Sequence, residues 1–326
     1  MPEGHSVHRL ASQFRDVFTG EPLAVGSPQG KFTAGAAAVD GQPLERAEAH
    51  GKQMFLYFAN DLVLRVHLGL YGAWDFGGDD TFTGASSIGA PRRIGEQEIA
   101  GSDSAGGGRG AYEGPPEPKG AVRARLVSRH GWADLRGPTA CEVLTLDEAA
   151  ASRAKLGPDP LHNLPGDREE FARRVRASGV GVGALVMKQD VIAGVGNVYR
   201  AEVLFRLGLD PFMTGKKLRV EEAGALWADI ARIMADGVRD GRIITTELAD
   251  RPSGQGVDVG LAGQRRDDVG SQAPASTVNK SVPVEDAHYV YKRQGQLCRH
   301  CGTVIAMAEL AGRKLYWCPA CQGSGG

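Results

Sequence analysis

The sequence predicts an α+β multidomain protein. It combines an N-terminal β-sandwich, a helical middle segment and a small C-terminal metal-dependent hairpin. Three observations carry the prediction. Short apolar runs separated by turn residues fill the first hundred positions, the pattern turns helical after Gly137, and two Cys-x-x-Cys pairs close the chain. The 326 residues accommodate two or three domains of about 100–200 residues each. A hydrophobic fraction of 42% with 24% charged residues supplies a core and excludes wholesale disorder.

Residues 52–58 read KQMFLYF, 62–70 read LVLRVHLGL and 121–127 read AVRARLV. Each is a short apolar or alternating run ended by turn residues, as in strands of a sandwich or barrel. In 101–120, 12 of 20 residues are Gly, Pro or Ser, which marks a flexible insertion between strands. Thr145 precedes LDEAAASRAKLG, with acidic residues in the first turn and Gly157 at the end, and Asp167 is placed to cap REEFARRVRAS. Residues 197–207 and 221–238 form two further helices, the first with Val198, Ala201, Val203 and Leu204 mostly on one face. A second Gly-, Pro- and Ser-rich stretch follows. The resulting boundaries are 1–136 for the sandwich with its insertion at 101–120, 137–249 for the helical domain, 250–283 for a flexible loop and 284–326 for the cysteine module.

A net charge of −1 gives no global sign of a nucleic-acid partner, so such a partner must be read from local features, with basic and acidic faces segregated. The opening MPEGHSVHRL is charged from residue 3 and has no signal-peptide core, and no apolar run approaches the length of a membrane span. The expectation is a cytoplasmic monomer without membrane association. Cys141 stands alone, whereas the other four cysteines fall within 24 residues, a spacing that in a reducing compartment points to metal.

Cys298 and Cys301 form one C-x-x-C knuckle, and Cys318 and Cys321, 16 residues further on, form the other. Two such turns present four thiolates to a tetrahedral Zn2+, and four sulfurs leave no open position for water, so one structural zinc is expected. His300 lies inside a knuckle and reads as an exposed turn residue rather than a ligand. Within 293–326, Arg293, Arg299, Arg313 and Lys314 stand against Glu309 alone, a composition suited to phosphate contact.

At the other end, Pro2 and Glu3 form an unusual opening pair. With Met1 removed, Pro2 presents a terminal secondary amine. A terminal amine has a pKa of about 7.7–8.0, against about 10.4 for lysine, so roughly 10–20% of it is neutral at pH 7. Such an amine attacking a sugar C1′ forms an iminium, an electron sink for elimination, and Glu3 beside it can shuttle protons.

Further segments join these. They are Gly51 and Lys52; the run His67-Leu68-Gly69-Leu70-Tyr71-Gly72; the run Gln189-Asp190-Val191-Ile192-Ala193-Gly194-Val195-Gly196-Asn197; and the ending from Arg313 through Cys318 and Cys321 to Gln322. Together with Met1-Pro2-Glu3-Gly4 they resemble, in order, the formamidopyrimidine-DNA glycosylase / endonuclease VIII family, over essentially the whole chain except the two Gly-rich stretches. The resemblance implies that the helical domain is a helix–two-turn–helix DNA-binding domain and the cysteine module a zinc-finger β-hairpin. It implies Pro2 as Schiff-base nucleophile, Glu3 as proton shuttle and Lys52 as a phosphate contact near the lesion. Asn197 and Arg313 would clamp the phosphates flanking a flipped nucleotide. Leu70 and Tyr71 would fill the space left in the stack, His67 would lie near the phosphate path, and Arg293 joins the DNA-binding set. Gly194 and Gly196 allow a tight turn whose N–H groups face a phosphate at a helix N-terminus.

Within the family, the opening Pro-Glu-Gly and the Leu70-Tyr71 pair resemble the endonuclease VIII branch of actinobacterial type. The other branch carries an Arg-x-Phe-Gly wedge where this chain has Ser128-Arg129-His130-Gly131. Ser6 stands where many members carry Glu, which puts one supporting carboxylate in doubt. The implied function is a bifunctional DNA glycosylase and abasic-site lyase of base excision repair, acting on oxidised pyrimidines. The implied partner is damaged double-stranded DNA, with single-stranded or bubble DNA as further substrates. The rival readings are an 8-oxoguanine/formamidopyrimidine glycosylase and a non-catalytic damaged-DNA-binding protein.

Overall fold

The computed structural model describes residues 2–90, 114–251 and 282–323. Most of the two Gly-rich stretches, 101–113 and 252–281, therefore lies outside the described residues. The chain divides into two units, Met1–His162 with Ile192–Gly194, and Asn163–Val191 with Val195–Gly326.

The first unit opens with a helix, α1 (Gly4–Phe18), where the sequence pattern indicated only strands. Val7, Leu10, Ala11, Phe14 and Phe18 recur at helical spacing on its buried face. The strands are β1 (Ala24–Gly26), β2 (Leu44–His50), β3 (Gln53–Phe58), β4 (Leu62–His67), β5 (Ala73–Gly78), β6 (Ser87–Gly89), β7 (Val122–Val127), β8 (Gly131–Arg136) and β9 (Ala140–Thr145). A short helix α2 (Thr33–Val39) follows β1, and α3 (Leu146–Ala154) follows β9. The strands form two antiparallel sheets, ordered β1-β7-β8-β5-β6 and β2-β3-β4-β9.

One core joins side chains of both sheets to the buried face of α1. Phe14 lies at its centre, 4.8 Å from the Trp74 ring and 5.4 Å from the Phe76 ring. The unbroken apolar run of β3 has a simple cause: the strand is buried on both faces. Met54, Leu56 and Phe58 enter the sandwich core, while Phe55 and Tyr57 pack with Ala149 of α3. The unit extends past Arg136, because β9 pairs with β4 and completes the second sheet. The helical pattern thus begins at Leu146, where Thr145 and Glu148 form a capping box. In the described part of the first Gly-rich stretch, the carbonyl of Pro116 accepts from Arg125 Nη1 at 2.8 Å. Cys141 is partly buried, and desolvation pushes its thiol up to about 12, so it is inert packing.

The second unit holds α4 (Asp167–Arg176), α5 (Val182–Leu185), α6 (Asn197–Arg206), α7 (Val220–Asp240) and the hairpin β10 (Ala306–Leu310) and β11 (Arg313–Trp317). Asp167 is not the cap of α4. Gly166, at φ 92°, takes that position, and the Asp167 carboxylate instead accepts from Leu164 N at 2.8 Å. Helix α6 is buried from Asn197 through Phe205 rather than on one face. Helix α7 is amphipathic, and its Trp227 meets Phe171 of α4 with ring centres 5.6 Å apart. Ala201 and Phe205 of α6 share a core with Tyr289, Val290, Cys298, Ile305, Tyr316 and Cys318. The buried carboxylate of Glu202 accepts the backbone N–H groups of Tyr289, Val290 and Tyr291 at 2.7–2.9 Å and the Thr245 hydroxyl, which fixes the approach to the cysteine module. No helix among the described residues is long and apolar enough to cross a membrane.

Truncating Phe14 to Ala is expected to cost about 3–5 kcal/mol by emptying the centre of the sandwich core, read from the denaturant midpoint with an unchanged slope.

Candidate active site and nucleic-acid interface

In the first unit, three segments far apart in sequence converge. Pro2 and Glu3 are buried directly ahead of α1, with Glu3 at its N-cap, the positive end of the helix dipole. The next N–H, that of Gly4, donates to the carbonyl of Gly194 at 2.9 Å. Gly194 and Ala193 in turn face the β2–β3 turn. Gly51 there has φ +58°, and a Cβ on it would lie 2.8 Å from both Ala193 Cβ and Gly194 N. Only glycine meets both demands, the left-handed backbone and the close approach. The half-buried Lys52 follows immediately. The opening pair, the Gly51–Lys52 turn and the glycine turn read from the sequence therefore form one corner of one unit.

A carboxylate that sequence reasoning passed over holds this corner. Asp159 is buried, its Oδ2 accepting from Gly51 N at 2.7 Å and contacting His8 Nε2 at 2.8 Å, while Oδ1 accepts from Leu161 N at 2.9 Å. These donors outweigh the burial that opposes ionisation and hold the carboxyl down to about 2. The Leu-Gly-Pro-Asp-Pro run after α3 was the only sequence signal, a turn-rich stretch with one acid. Ser6, where a second carboxylate was in doubt, pairs its hydroxyl with His5 Nε2 at 3.1 Å. Burial, then the nearby Arg9, pushes His5 down to about 3, so this pair is neutral.

His67 lies opposite Gln53 in the β3–β4 register. Burial first, and then the charges of Lys52 and Arg65, lower it below its ordinary value, so it stands neutral beside Lys52. The turn after β4 projects Leu70 and Tyr71 into solvent, at 39% and 80% exposure. The turn is tightly backed, because a Cβ on Gly69 (φ +66°) would lie 1.8 Å from Thr139 Oγ1. Exposed apolar side chains on a rigid turn have the form of a wedge for a base stack. The turn at 128–131 is built differently. Arg129 pairs with Glu21 at 2.9 Å and His130 with Asp79 at 2.6 Å.

In the second unit, Asn197 is the first residue of α6, after Gly196 as N-cap. Its Nδ2 donates to the Lys314 carbonyl at 2.9 Å and its Oδ1 accepts from Arg200. The wholly buried Arg200 also donates to the carbonyls of Gly183, Leu310 and Lys314. The asparagine is thus coupled to the hairpin. Ala311 and Gly312, both at positive φ, make the two-residue turn between β10 and β11. Arg313, paired with Leu310 across the hairpin, leaves that turn with its side chain exposed and without a hydrogen bond or ion pair among the described residues. Arg293 and Arg299, grouped with Arg313 by composition, have hydrogen-bond partners within the module. Arg293 donates to Tyr289 O, Leu297 O and Gln296 Oε1, and Arg299 to Glu285 O and Asp286 Oδ1. Both half-buried guanidiniums are tied to groups of the module itself, whereas Arg313 and Lys314 on the hairpin are exposed, as is Lys292.

The four cysteine sulfurs lie within 4.8 Å of one another, with Cys298–Cys321 at 3.8 Å and Cys301–Cys318 at 3.4 Å. Tetrahedral zinc with bonds of about 2.3 Å sets sulfurs about 3.8 Å apart, so the donor set fits that ion. His300 stays outside it, exposed and packed on Phe205 and Tyr289.

Comparison with known proteins agrees with this arrangement. Residues 1–105 match the formamidopyrimidine-DNA glycosylase N-terminal domain, 156–248 the H2TH domain of the same glycosylase, and 295–323 the zinc finger found in FPG and IleRS. Endonuclease 8 1 of Mycobacterium tuberculosis (strain ATCC 25618 / H37Rv) is 39% identical over 322 residues, 99% of this chain and 100% of that protein. The chain belongs to the formamidopyrimidine-DNA glycosylase / endonuclease VIII family. Another family member, Endonuclease 8 of Salmonella schwarzengrund, is 25% identical over 99% of this chain and 100% of its own. The fold of the family is seen in the Lactococcus lactis Fpg complexed with DNA containing N7-benzyl-Fapy-dG, at a TM-score of 0.68, 17% identity and coverage of 99% of this chain and 100% of that one.

Two expectations follow from this family member's geometry. Gly51→Ala should lose about 1–3 kcal/mol through its left-handed backbone, with more from the clash at Ala193, lowering the melting temperature together with any activity that needs Lys52. Lys52→Met should raise the His67 imidazole pKa only part of the way to its ordinary value in an NMR titration, because burial, the larger cause, remains.

Proposed function

We propose that this chain is a bifunctional DNA glycosylase and abasic-site lyase of base excision repair, acting on oxidised pyrimidines in damaged double-stranded DNA. One observation carries the reading: the buried Pro2–Glu3 start of α1, the Gly51–Lys52 turn and the Ala193–Gly194 turn share one corner of the first unit. Family membership supplies the chemistry to test there. With Met1 removed, the Pro2 nitrogen attacks C1′ of the damaged nucleotide, and the glycosidic bond breaks as the base leaves with its electron pair. The amine nitrogen gives up its proton, and its lone pair then opens the C1′–O4′ bond as O4′ takes a proton, which leaves a ring-opened iminium. This accepts electrons as the 2′ proton is removed, which expels the 3′ phosphate by β-elimination, and δ-elimination then expels the 5′ phosphate. Glu3 carries protons at this centre. Lys52, Asn197 and Arg313 bind phosphates, and His67 stands neutral beside Lys52.

The preference for pyrimidines rests on the exposed Leu70–Tyr71 turn and on the 128–131 turn, whose Arg129 and His130 are tied to Glu21 and Asp79. One structural zinc is proposed at the four cysteines. Bound there, it fixes the hairpin that carries Arg313 and supplies no chemistry to the reaction.

Borohydride trapping on abasic-site DNA tests the nucleophile. The Met1-processed protein is expected to form a covalent complex that Pro2→Gly abolishes while binding persists. Trapping that survives in Pro2→Gly would assign the Schiff base elsewhere. In a competition between thymine glycol and 8-oxoguanine duplexes, preferential excision of 8-oxoguanine would overturn the pyrimidine assignment alone.

A further inference from the structure

We propose that His8, Asp159 and His162 form a binding site for a divalent transition-metal ion of the zinc, cobalt or nickel type, separate from the four cysteines. All three residues belong to the first unit. One ligand atom from each of His8, Asp159 and His162 lies within 4.8 Å of the other two. Two of the separations are 2.8 Å (His8 to Asp159) and 4.0 Å (His162 to Asp159). An ion with Zn–N and Zn–O bonds of about 2.0–2.2 Å holds neighbouring donors about 3.0–3.6 Å apart, and the two separations bracket that range. Small rotations of two imidazoles close the difference.

The site is built rather than casual. The Asp159 side chain is fully buried, whereas His8 and His162 are 15% and 28% exposed, so the anion is enclosed and an ion has a way in. Backbone N–H groups of Gly51 and Leu161 hold the two carboxylate oxygens in place, as outer hydrogen bonds orient a ligand in metal sites. His50 packs 5.5 Å from the His162 ring with its Nε2 on Gly157 O, and buttresses one ligand without joining the set. The facing cation, Arg153, is paired with Glu48 at 2.9 Å. Two imidazoles and one carboxylate select borderline transition ions over calcium or magnesium, which require oxygen donors, and they leave coordination positions for water. The bound ion takes the place of the proton between His8 Nε2 and Asp159 Oδ2 and leaves the Gly51 N–H bond to Asp159 intact. It therefore pins α1 to the segment after α3.

The test uses the full chain with its cysteine site zinc-filled, titrated with Co2+ and followed by calorimetry and visible absorption. One saturable equivalent of Co2+ is expected, removable by a mild chelator, and it raises the melting temperature. His162→Ala and His8→Gln, the latter keeping an N–H donor for Asp159, should each weaken Co2+ binding by about tenfold or more and abolish the thermal shift, whereas His300→Ala should do neither. Absence of saturable Co2+ binding in the zinc-filled chain, or binding unchanged in both His162→Ala and His8→Gln, would overturn the site.

Discussion

The functional corner of the first unit depends on one buried carboxylate. An ionised group in an apolar interior is tolerated only when its oxygens are satisfied. Asp159 meets that requirement with partners that matter individually: the N–H of Gly51, the N–H of Leu161 and the ring of His8. Through them it ties the lysine-bearing turn and the helix that starts at Pro2 to the segment after α3. The Gly4–Gly194 hydrogen bond adds the glycine turn. The proposed nucleophile at the start of α1, the Lys52 turn and the Ala193–Gly194 turn are thus fixed by four hydrogen bonds of ordinary length.

The second unit solves the same problem with opposite sign. Arg200 is a wholly buried cation whose partners are carbonyls and an amide oxygen from α6, the segment of Gly183 and the zinc-type hairpin. Asn197, expected to face DNA, therefore also locks α6 to the hairpin backbone at Lys314. The near-zero net charge does not tell which cations are exposed. Many arginines are internal structural elements, paired as Arg206 is with Asp229 or donating to carbonyls as Arg293 does. Arg313 and Lys314 stand exposed on the hairpin.

Legibility in the sequence followed the range of the interaction. The cysteine spacing, the β3 and β4 strands and the Thr145 cap are local signals, and each corresponds to an element seen in the structure. Helix α1 escaped because its opening residues drew attention as chemistry rather than as a period, although Val7, Leu10, Ala11 and Phe14 carry the helical spacing. Strand β9 escaped because Ala140-Cys141-Glu142-Val143 alternates weakly, and its identity comes from pairing with β4, far away in sequence. Asp159 and Arg200 were invisible for the same reason, since a lone acid or base acquires meaning only from distant partners. Composition also crowded Arg293 and Arg299 with Arg313, but only the structure shows that their guanidiniums have partners within the module.

The placement of Ile192–Gly194 within the first unit has a consequence for biosynthesis. The two sheets are complete once Thr145 has been made, and Asp159 follows soon after, yet the carbonyl that receives the Gly4 N–H belongs to Gly194. At a synthesis rate of about 5–20 residues per second, that acceptor arrives roughly 2–6 seconds after His162. During this interval the nascent sandwich has its core but not the partner of its own N-terminus. This corner is therefore the last part of the first unit to be completed, by a segment embedded in the sequence of the second unit, and a chain shortened to end at His162 would lack the acceptor of its own Gly4 N–H.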